Sequence, residues 1–445
     1  MSSVKNVEWL RGEAGAWVKD GILSEQQAAA VLARYPAPGA RLPWGAIIFS
    51  TIGAVAVGLG VILLFAYNWN AMPKAVKMAL VLGSLAAAHA AGIRHRLGSV
   101  RFRGLGEGLC VLGTMLFGAA IWLVAQIYHI DEHFPNGIMM WGLGALLMAL
   151  AMQSTPQAII AAVLLAAWSG AETVGFGATV AGAPLLILLT LLPMAWIRKS
   201  LTLLAVAVPA FLASLLIPLL AHFHHPWFVI ALFMNISGTL VGLSILVRSM
   251  GGFPRSSAVF GSIGWALFIA LLYLASFPGI CAELFGHRGS IGAPNGTMLA
   301  CVLVSLIPCV AAWAEVLYRR AFSRGKAEGG EGFEIYLVPL TVILAYAGMF
   351  FSMGFKAGWL MALTFNMVFL ALAFSMMVRG CRNGLLKPTM FGSVMLVAIM
   401  FARYFDLFDS LAIRGLVFVV VGAGIFLEGI IYARARKQKK IAVAK

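Results

Sequence analysis

The most constraining feature of this sequence is its succession of long apolar stretches. Several of them exceed about 18 residues, the length at which a helix crosses a hydrocarbon core of roughly 30 Å. Of the 445 residues, 62% are hydrophobic and 11% are charged, whereas a soluble domain carries roughly 25% charged residues. Lipid offers no hydrogen-bond partner to the backbone, so each segment must be helical. The sequence therefore predicts an all-α, polytopic transmembrane helical bundle.

The apolar stretches predict about 14 spans, preceded by a cytoplasmic helical module at 1–43 and followed by a basic cytoplasmic tail at 434–445. The transmembrane domain covers 44–433. The predicted spans are 44–66, 73–93, 105–128, 135–152, 156–173, 180–197, 200–221, 226–247, 256–276, 295–318, 335–353, 358–378, 388–402 and 411–433. The pair 156–173 and 180–197 is short and is not flanked by Lys or Arg on the connection between them. If both segments are re-entrant, 12 spans remain and the other orientations are unchanged.

The basic residues predict the orientation of these spans. The net charge is +16, but the Lys and Arg side chains are dispersed over short connections, which is not the pattern of a nucleic-acid binder. Cytoplasmic loops of membrane proteins carry an excess of Lys and Arg. With both termini in the cytoplasm, most of the 32 Lys and Arg residues fall on cytoplasmic connections. An even number of spans is therefore expected.

Residues 4–35 have the pattern of two short amphipathic helices that form a hairpin. Gly21 marks the break, and Ser24 with Gln27 forms a capping-box pattern at the start of the second helix. One interpretation is a hairpin that lies against the membrane or the cytoplasmic loops. The alternative is a docking site for a protein partner within residues 1–35. Basic and aromatic residues are too few on one face for nucleic-acid binding.

Four short phrases resemble a known family of bacterial membrane proteins, the domain of unknown function 2157. They are WVKDGILSEQQ at 17–27, YNWN at 67–70, QIYH at 126–129 and RYFDL at 403–407. The first two phrases cover the first 75 or so residues, and the middle of the chain shows no such likeness. The resemblance implies an inner-membrane protein of bacteria. It implies no activity, and no catalytic residue is carried over.

Polar side chains inside the spans are the best pointers to function in a membrane protein, because an ionisable group at the bilayer centre costs roughly 2.5 to 3.5 kcal/mol. The candidates here are Glu107, Glu428, Asn235 and Asn366. Glu107 lies in the first turn of its span, where a carboxylate suits the helix dipole. The two amides are expected to bridge neighbouring helices. Glu428 lies about 8 Å inside the last span and fits a structural or a functional role.

The predicted outer loops hold most of the histidines, with acidic residues between and beside them. His129, His133, His222, His224 and His225 are candidate ligands for zinc or copper, or candidate groups for pH sensing. The alternative is that they are solvated loop residues, since the spacing matches no complete metal motif. Gly238 and Gly242 have the four-residue spacing of closely packed helices.

Two classes of function remain open. The sequence shows no phosphate-binding loop, nucleophile elbow or paired-cysteine motif, so no catalytic residue and no cofactor is predicted. The first hypothesis is a non-enzymatic envelope protein with an interaction or sensing role. The second is a transporter or lipid-translocating protein for a neutral or amphipathic solute. Ion coupling is disfavoured because no acidic site is expected at the midplane.

Overall fold

The computed structural model describes residues 4–33, 72–98, 103–130, 133–223, 225–281, 296–322, 334–351, 358–406, 419 and 422–424. All regular elements in these ranges are helical. The chain divides into two compact units, Met1–Val81 and Leu82–Lys445. The all-α class predicted from the apolar stretches is confirmed for the described part of the chain.

The first unit begins with helix α1 (Val4–Lys19) and helix α2 (Glu25–Ala33). Gly21 has a φ of +70°, a left-handed conformation that glycine adopts without a steric penalty. The Ser24 hydroxyl accepts a hydrogen bond from the Gln27 amide at 3.2 Å, and the Gln27 side chain accepts one from the Ser24 amide at 3.0 Å. The predicted capping box is therefore present. The predicted first span, 44–66, lies outside the described residues.

The second unit contains the remaining helices, of which the first, α3 (Lys74–Leu97), starts in the first unit. The others are α4 (Arg103–Tyr128), α5 (Pro135–Met152), α6 (Thr155–Phe176), α7 (Gly182–Leu186), a π-helical turn (Ile187–Leu191), α8 (Leu192–Ile197), α9 (Leu201–His222), α10 (Pro226–Ser249), a 3-10 turn (Pro254–Ser256), α11 (Ser257–Ala275), α12 (Gly296–Phe322), α13 (Glu334–Phe351), α14 (Gly358–Asn383) and α15 (Leu386–Asp406). Each predicted span from 73–93 to 388–402 corresponds to helical structure. The predicted last span, 411–433, is outside the described ranges.

Within the described ranges, nine helices are long and apolar enough to cross a membrane. Among them is α6, which has 22 residues and corresponds to the doubtful segment 156–173. Three further apolar helical segments are shorter than 18 residues, namely Gly182–Ile197, Ile335–Gly348 within α13 and Leu386–Phe401 within α15. The protein is thus a membrane protein with several apolar helices of spanning length, and the total of 14 spans stays a prediction.

The π-helical turn between α7 and α8 has a local cause in the sequence. Leu192 donates its backbone N–H to the carbonyl of Ile187, five residues earlier. Pro193 follows and has no N–H, so it cannot continue the α-helical bonding pattern toward Leu189. The widened π turn accommodates the loss of this hydrogen bond. Single π turns of this kind are frequent at functional sites.

Helix α10 is the central helix of the described bundle, and it contributes buried residues to three apolar clusters. Gly238 and Gly242 on α10 face α12. A Cβ atom at Gly238 would lie 2.7 Å from the Cys309 sulfur, and one at Gly242 would lie 3.0 Å from the Ala312 Cβ. Trp313 Nε1 also donates to the Gly238 carbonyl at 3.0 Å. The packing interpretation of this glycine pair is therefore confirmed.

The alternating helix directions in the second unit give it two ends. We call one the histidine face, where α4, α6 and α9 end and α5, α7 and α10 begin, and define it by His129, His133, His222 and His225. The opposite end is the arginine face, defined by the basic residues at the ends of the described helices there. These are Arg94, Arg96, Arg198, Lys199, Arg248, Arg255, Arg319, Arg320, Arg382 and Lys387.

Candidate functional site

A buried carboxylate marks the histidine face. Glu172, four residues before the end of α6, is 7% exposed. Its Oε2 atom lies 2.7 Å from His133 Nε2, and its Oε1 atom accepts a hydrogen bond from Trp168 Nε1 at 3.2 Å. Among the acidic side chains that the structure describes, Glu172 is the only buried one. Burying a carboxylate is unfavourable unless both oxygens find partners, and both oxygens do so here.

The local sequence explains how these partners meet. Trp168 and Glu172 are four residues apart and so share one face of α6. His133 precedes Pro135, the first residue of α5, and α5 packs antiparallel to α6 through the short connection at 153–154. The His133 ring also lies against Phe176, with 3.9 Å between the ring centroids. The result is a fixed cluster of His133, Trp168, Glu172 and Phe176, which we call the Glu172 cluster.

Sequence reasoning identified His133 as a candidate but missed its partner. Glu172 was not predicted as a site residue, because it lies 39 positions after His133 and no sequence motif contains both residues. The spacing of Trp168 and Glu172 by one helical turn was the available signal. An indole that can donate to a carboxylate on the same helix face indicates that the carboxylate is shielded from water.

The other candidate histidines are spread along the histidine face. His129 lies in the turn after α4 with a φ of +53°, His222 is the last residue of α9, and His225 directly precedes α10. His224 lies outside the described residues. No three His, Cys, Asp or Glu side chains come close enough to hold a metal ion within the ranges that the structure describes. The metal interpretation of these histidines stays a prediction.

An apolar groove of about 580 Å³ opens near the Glu172 cluster on the same face. Its walls come from the 179–181 connection, α7 with the π turn, α9 and the start of α12. Thr179, Thr297 and His222 lie at one end, Phe211 and Leu215 line the deeper part, and Leu188 lies at the side. The Trp168 ring lies beside Gly182, which follows the lining residue Ala181, because a Cβ atom at Gly182 would lie 3.4 Å from the ring. Trp168 itself is not among the residues that line the groove.

Glu107 takes part in a polar connection on the arginine face. It accepts hydrogen bonds from the Arg96 guanidinium and from the Ser154 hydroxyl, and Arg96 also donates to the Met152 carbonyl. Three parts of the chain are joined in this way, namely the end of α3, the start of α4 and the α5–α6 connection. Glu107 is therefore held in a structural ion pair at its helix start. Glu315 similarly pairs with Arg319 at 2.6 Å.

The two intramembrane amides bridge helices. Asn235 Nδ2 lies 3.2 Å from the Val302 carbonyl, 3.0 Å from Ser305 Oγ and 2.9 Å from Tyr346 Oη, so it joins α10 to α12 and α13. Asn366 donates to the Ser276 carbonyl at 2.9 Å and joins α14 to the end of α11. Neither amide lines the groove. Glu428 lies outside the described residues.

Comparison with known proteins gives one match. The model of the family described as "Predicted membrane protein (DUF2157)" matches residues 15–158. No curated protein and no solved structure matches the chain. The matched range includes Glu107 and Ser154 but ends before Glu172 and before the groove. Over residues 15–158 the chain is therefore similar to the predicted membrane protein family DUF2157, as the resemblance of its N-terminal phrases predicts.

Proposed function

We propose that the chain is a multi-pass protein of the bacterial inner membrane with about 14 spans and with both termini in the cytoplasm. The arginine face supports this orientation, because the ends of α3, α10, α12 and α14 there carry Lys or Arg in the last turn. Positive charge is retained on the cytoplasmic side during insertion. The histidine face then lies on the outer side of the membrane.

Cysteine labelling of intact spheroplasts tests this orientation. In a variant without native cysteines, Ala178→Cys on the histidine face is expected to react with a membrane-impermeant maleimide. Met250→Cys on the arginine face is expected to react only after permeabilisation. Both positions are exposed, so accessibility to the reagent depends on the side of the membrane. The reverse labelling pattern would contradict the proposed topology.

We infer further that the protein is non-enzymatic and that its histidine face is a contact or sensing surface of the cell envelope. The Glu172 cluster carries this inference. A buried ionisable group near a span is by default a functional feature, and here both carboxylate oxygens are occupied. The cluster fixes the start of α5 against the end of α6, and Phe134 and Phe176 remain nearly half exposed beside it. Exposed aromatic rings held in a rigid position favour recognition of a partner protein.

Site-specific photo-crosslinking in cells tests the contact surface. A photoreactive amino acid at Phe176 is expected to give a discrete protein adduct, which is lost when Glu172→Gln removes the charge of the cluster. The matched control is Leu147 on the lipid-facing side of α5, which is 68% exposed and is expected to give lipid adducts alone. Lipid adducts alone at Phe176 would overturn the contact role.

The second candidate is a transporter or lipid-translocating protein for a neutral or amphipathic solute. The groove beside the π turn favours it, because interrupted helices and cavities between helices are typical of transporters. The two bridging amides, Asn235 and Asn366, do not line that groove. A solute would therefore be recognised by the groove itself and not by the amides. Movement of a labelled lipid across reconstituted vesicles is the measurement that separates this candidate from the first.

A further inference from the structure

We infer that the groove holds one acyl chain of a phospholipid from the leaflet on the histidine face. This inference specifies the class of ligand for the second candidate function. It rests on the proposed membrane orientation only for the identity of the leaflet, outer or inner, from which the phospholipid comes. The groove volume of about 580 Å³ lies within the range of roughly 300 to 1,000 Å³ found for small-molecule sites.

The depth of the groove matches one leaflet. On α9 the lining residues extend from His222, at the helix end, down to Phe211. At 1.5 Å of rise per residue this is about 16 Å, roughly half of a hydrocarbon core of about 30 Å. The groove therefore begins at the interface and ends near the midplane, as an acyl chain of one leaflet does.

The groove has polar side chains at its interfacial end and mostly apolar ones below. Thr179, Thr297 and His222 lie at the level where a headgroup would lie, and Phe211 and Leu215 line the deeper part. Ser214 is also deep, but its hydroxyl donates to the Phe211 carbonyl of the same helix. Among the described residues, the lining contains no Asp, Glu, Lys or Arg. Such a gradient suits an amphipathic molecule with one chain inserted, and it does not suit an ion or a hydrophilic solute.

The groove is open toward lipid at its side. Leu185 and Leu188 on α7 and the π turn are 51% and 43% exposed, so they form a rim that faces the bilayer. Two prolines within α9, Pro209 and Pro218, remove backbone hydrogen bonds from this helix. Pro218 lies in the groove wall itself. A chain of a surrounding phospholipid can therefore enter sideways, and this lateral opening favours a bilayer lipid over a free fatty acid from water.

The test uses the full chain reconstituted in nanodiscs of phosphatidylethanolamine and phosphatidylglycerol, with a tracer phospholipid that carries a diazirine midway along one acyl chain. After illumination, peptide mass spectrometry is expected to find adducts concentrated on the segments of Leu188 and Leu215. Labelling spread evenly over all lipid-exposed helices would show ordinary boundary lipid and would overturn the inference.

Two groove-filling variants and one control make the test specific. Leu215→Trp fills the depth of the groove, and Leu188→Trp fills its rim at a position that tolerates a larger side chain. Both are expected to lose the concentrated adduct. Leu189→Trp is the matched control, because Leu189 is on the same π turn but is 69% exposed, and it is expected to retain the adduct. Retention in both groove-filling variants would overturn the inference.

Two further measurements distinguish phospholipid from free fatty acid as the ligand, and lipid binding from lipid translocation. Excess unlabelled phospholipid is expected to lower the adduct yield, whereas a free fatty acid of equal chain length is expected to leave it unchanged. Protection by the fatty acid alone would overturn the assignment to phospholipid. Movement of a fluorescent phospholipid is followed in vesicles that contain the same protein. Concentrated labelling without lipid movement would refute translocation and leave the binding site intact.

Discussion

At the scale of residues, polar groups in the described bundle occur mostly in satisfied sets. Glu172 has His133 and Trp168, Asn235 has Tyr346 and Ser305, and Glu107 has Arg96 and Ser154. In hydrocarbon the alternative to such a partner is an unpaired polar group, which is strongly unfavourable. Apart from Trp168, which is one helical turn from Glu172, these partners come from other elements, so the sequence could indicate the polar residues but not most of the residues that they contact.

Replacement of Glu172 by leucine is expected to lower stability by about 1 to 3 kcal/mol, because it leaves the partly buried His133 and Trp168 side chains without their hydrogen-bond partner. Thermal unfolding of the protein in mild detergent measures the change. Glu315→Gln is the control, since the Glu315 side chain is 44% exposed and a surface ion pair contributes only about 0.2 to 1 kcal/mol. Equal effects of the two substitutions would contradict the structural importance of the Glu172 cluster.

Gln157 on α6 is an exception, because its polar side-chain atoms have no hydrogen-bond partner. It is fully buried. An unpaired buried amide costs about 1 to 3 kcal/mol, so Gln157→Leu is expected to raise the melting temperature. Gln26→Leu serves as the control because Gln26 is exposed on α2. A lower melting temperature for Gln157→Leu would show that the amide has a partner, such as a bound water molecule.

The hydrogen bonds between Asn235 and Tyr346 allow a double-mutant cycle. Asn235→Leu and Tyr346→Phe are each expected to destabilise the bundle, and the double variant is expected to lose less than the sum. The coupling should be about 0.6 to 2 kcal/mol, as for other interhelical hydrogen bonds in membranes. Reversible unfolding in detergent gives the four stabilities. Additive effects would contradict direct coupling of α10 and α13 through this pair.

At the scale of elements, apolar length predicts the described helices well. Each predicted span from 73–93 to 388–402 is helical, and Pro135 and Pro226 stand at the first positions of α5 and α10, where proline fits a helix start. The π turn was not predicted, since apolar periodicity does not distinguish one widened turn inside a short helix. Pro193 was the residue that could have indicated it. The groove was missed for the same reason, because it depends on how α7, α9 and α12 pack.

The contact between α10 and α12 gives a prediction for a helix pair. Gly238→Leu is expected to destabilise the protein by about 1 to 3 kcal/mol, because a larger side chain forces two closely packed helices apart. Gly108→Leu on α4 is the control, since nothing lies within 4 Å of a Cβ atom there. The melting temperatures of both variants in detergent check the expectation. A stable Gly238→Leu variant would indicate that α10 and α12 pack less closely.

At the scale of the whole molecule, the charge distribution and the family match cover different parts of the chain. The distribution of Lys and Arg predicts topology for the entire chain, whereas the DUF2157 match covers residues 15–158. The groove and Glu172 lie beyond that range. The matched range contains Arg96, Glu107 and Ser154, which form the polar connection on the arginine face.

The helical module at 1–43 gives a prediction at this scale. Removal of residues 1–35 is expected to abolish co-purification of a specific cytoplasmic partner in mild detergent while the membrane domain still inserts. Trp9 on α1 is 60% exposed, and Trp9→Ala is expected to weaken the same association. Gln26→Ala is the control on α2. An unchanged set of co-purified proteins after truncation would contradict an interaction role for this module.

The π turn at Ile187–Leu191 also determines how this region would respond to the deletion of one residue. A π turn contains one residue more than the α-helix around it would need. Deleting one residue there would replace the widened turn by α-helical geometry, apart from the hydrogen bond that Pro193 cannot donate, and would leave the lipid-facing and inward-facing sides of α7 and α8 where they are. The same deletion elsewhere in a span rotates everything after it by about 100°. Within the described part of the second unit, the turn is thus a point where sequences that differ by one residue can keep the same fold.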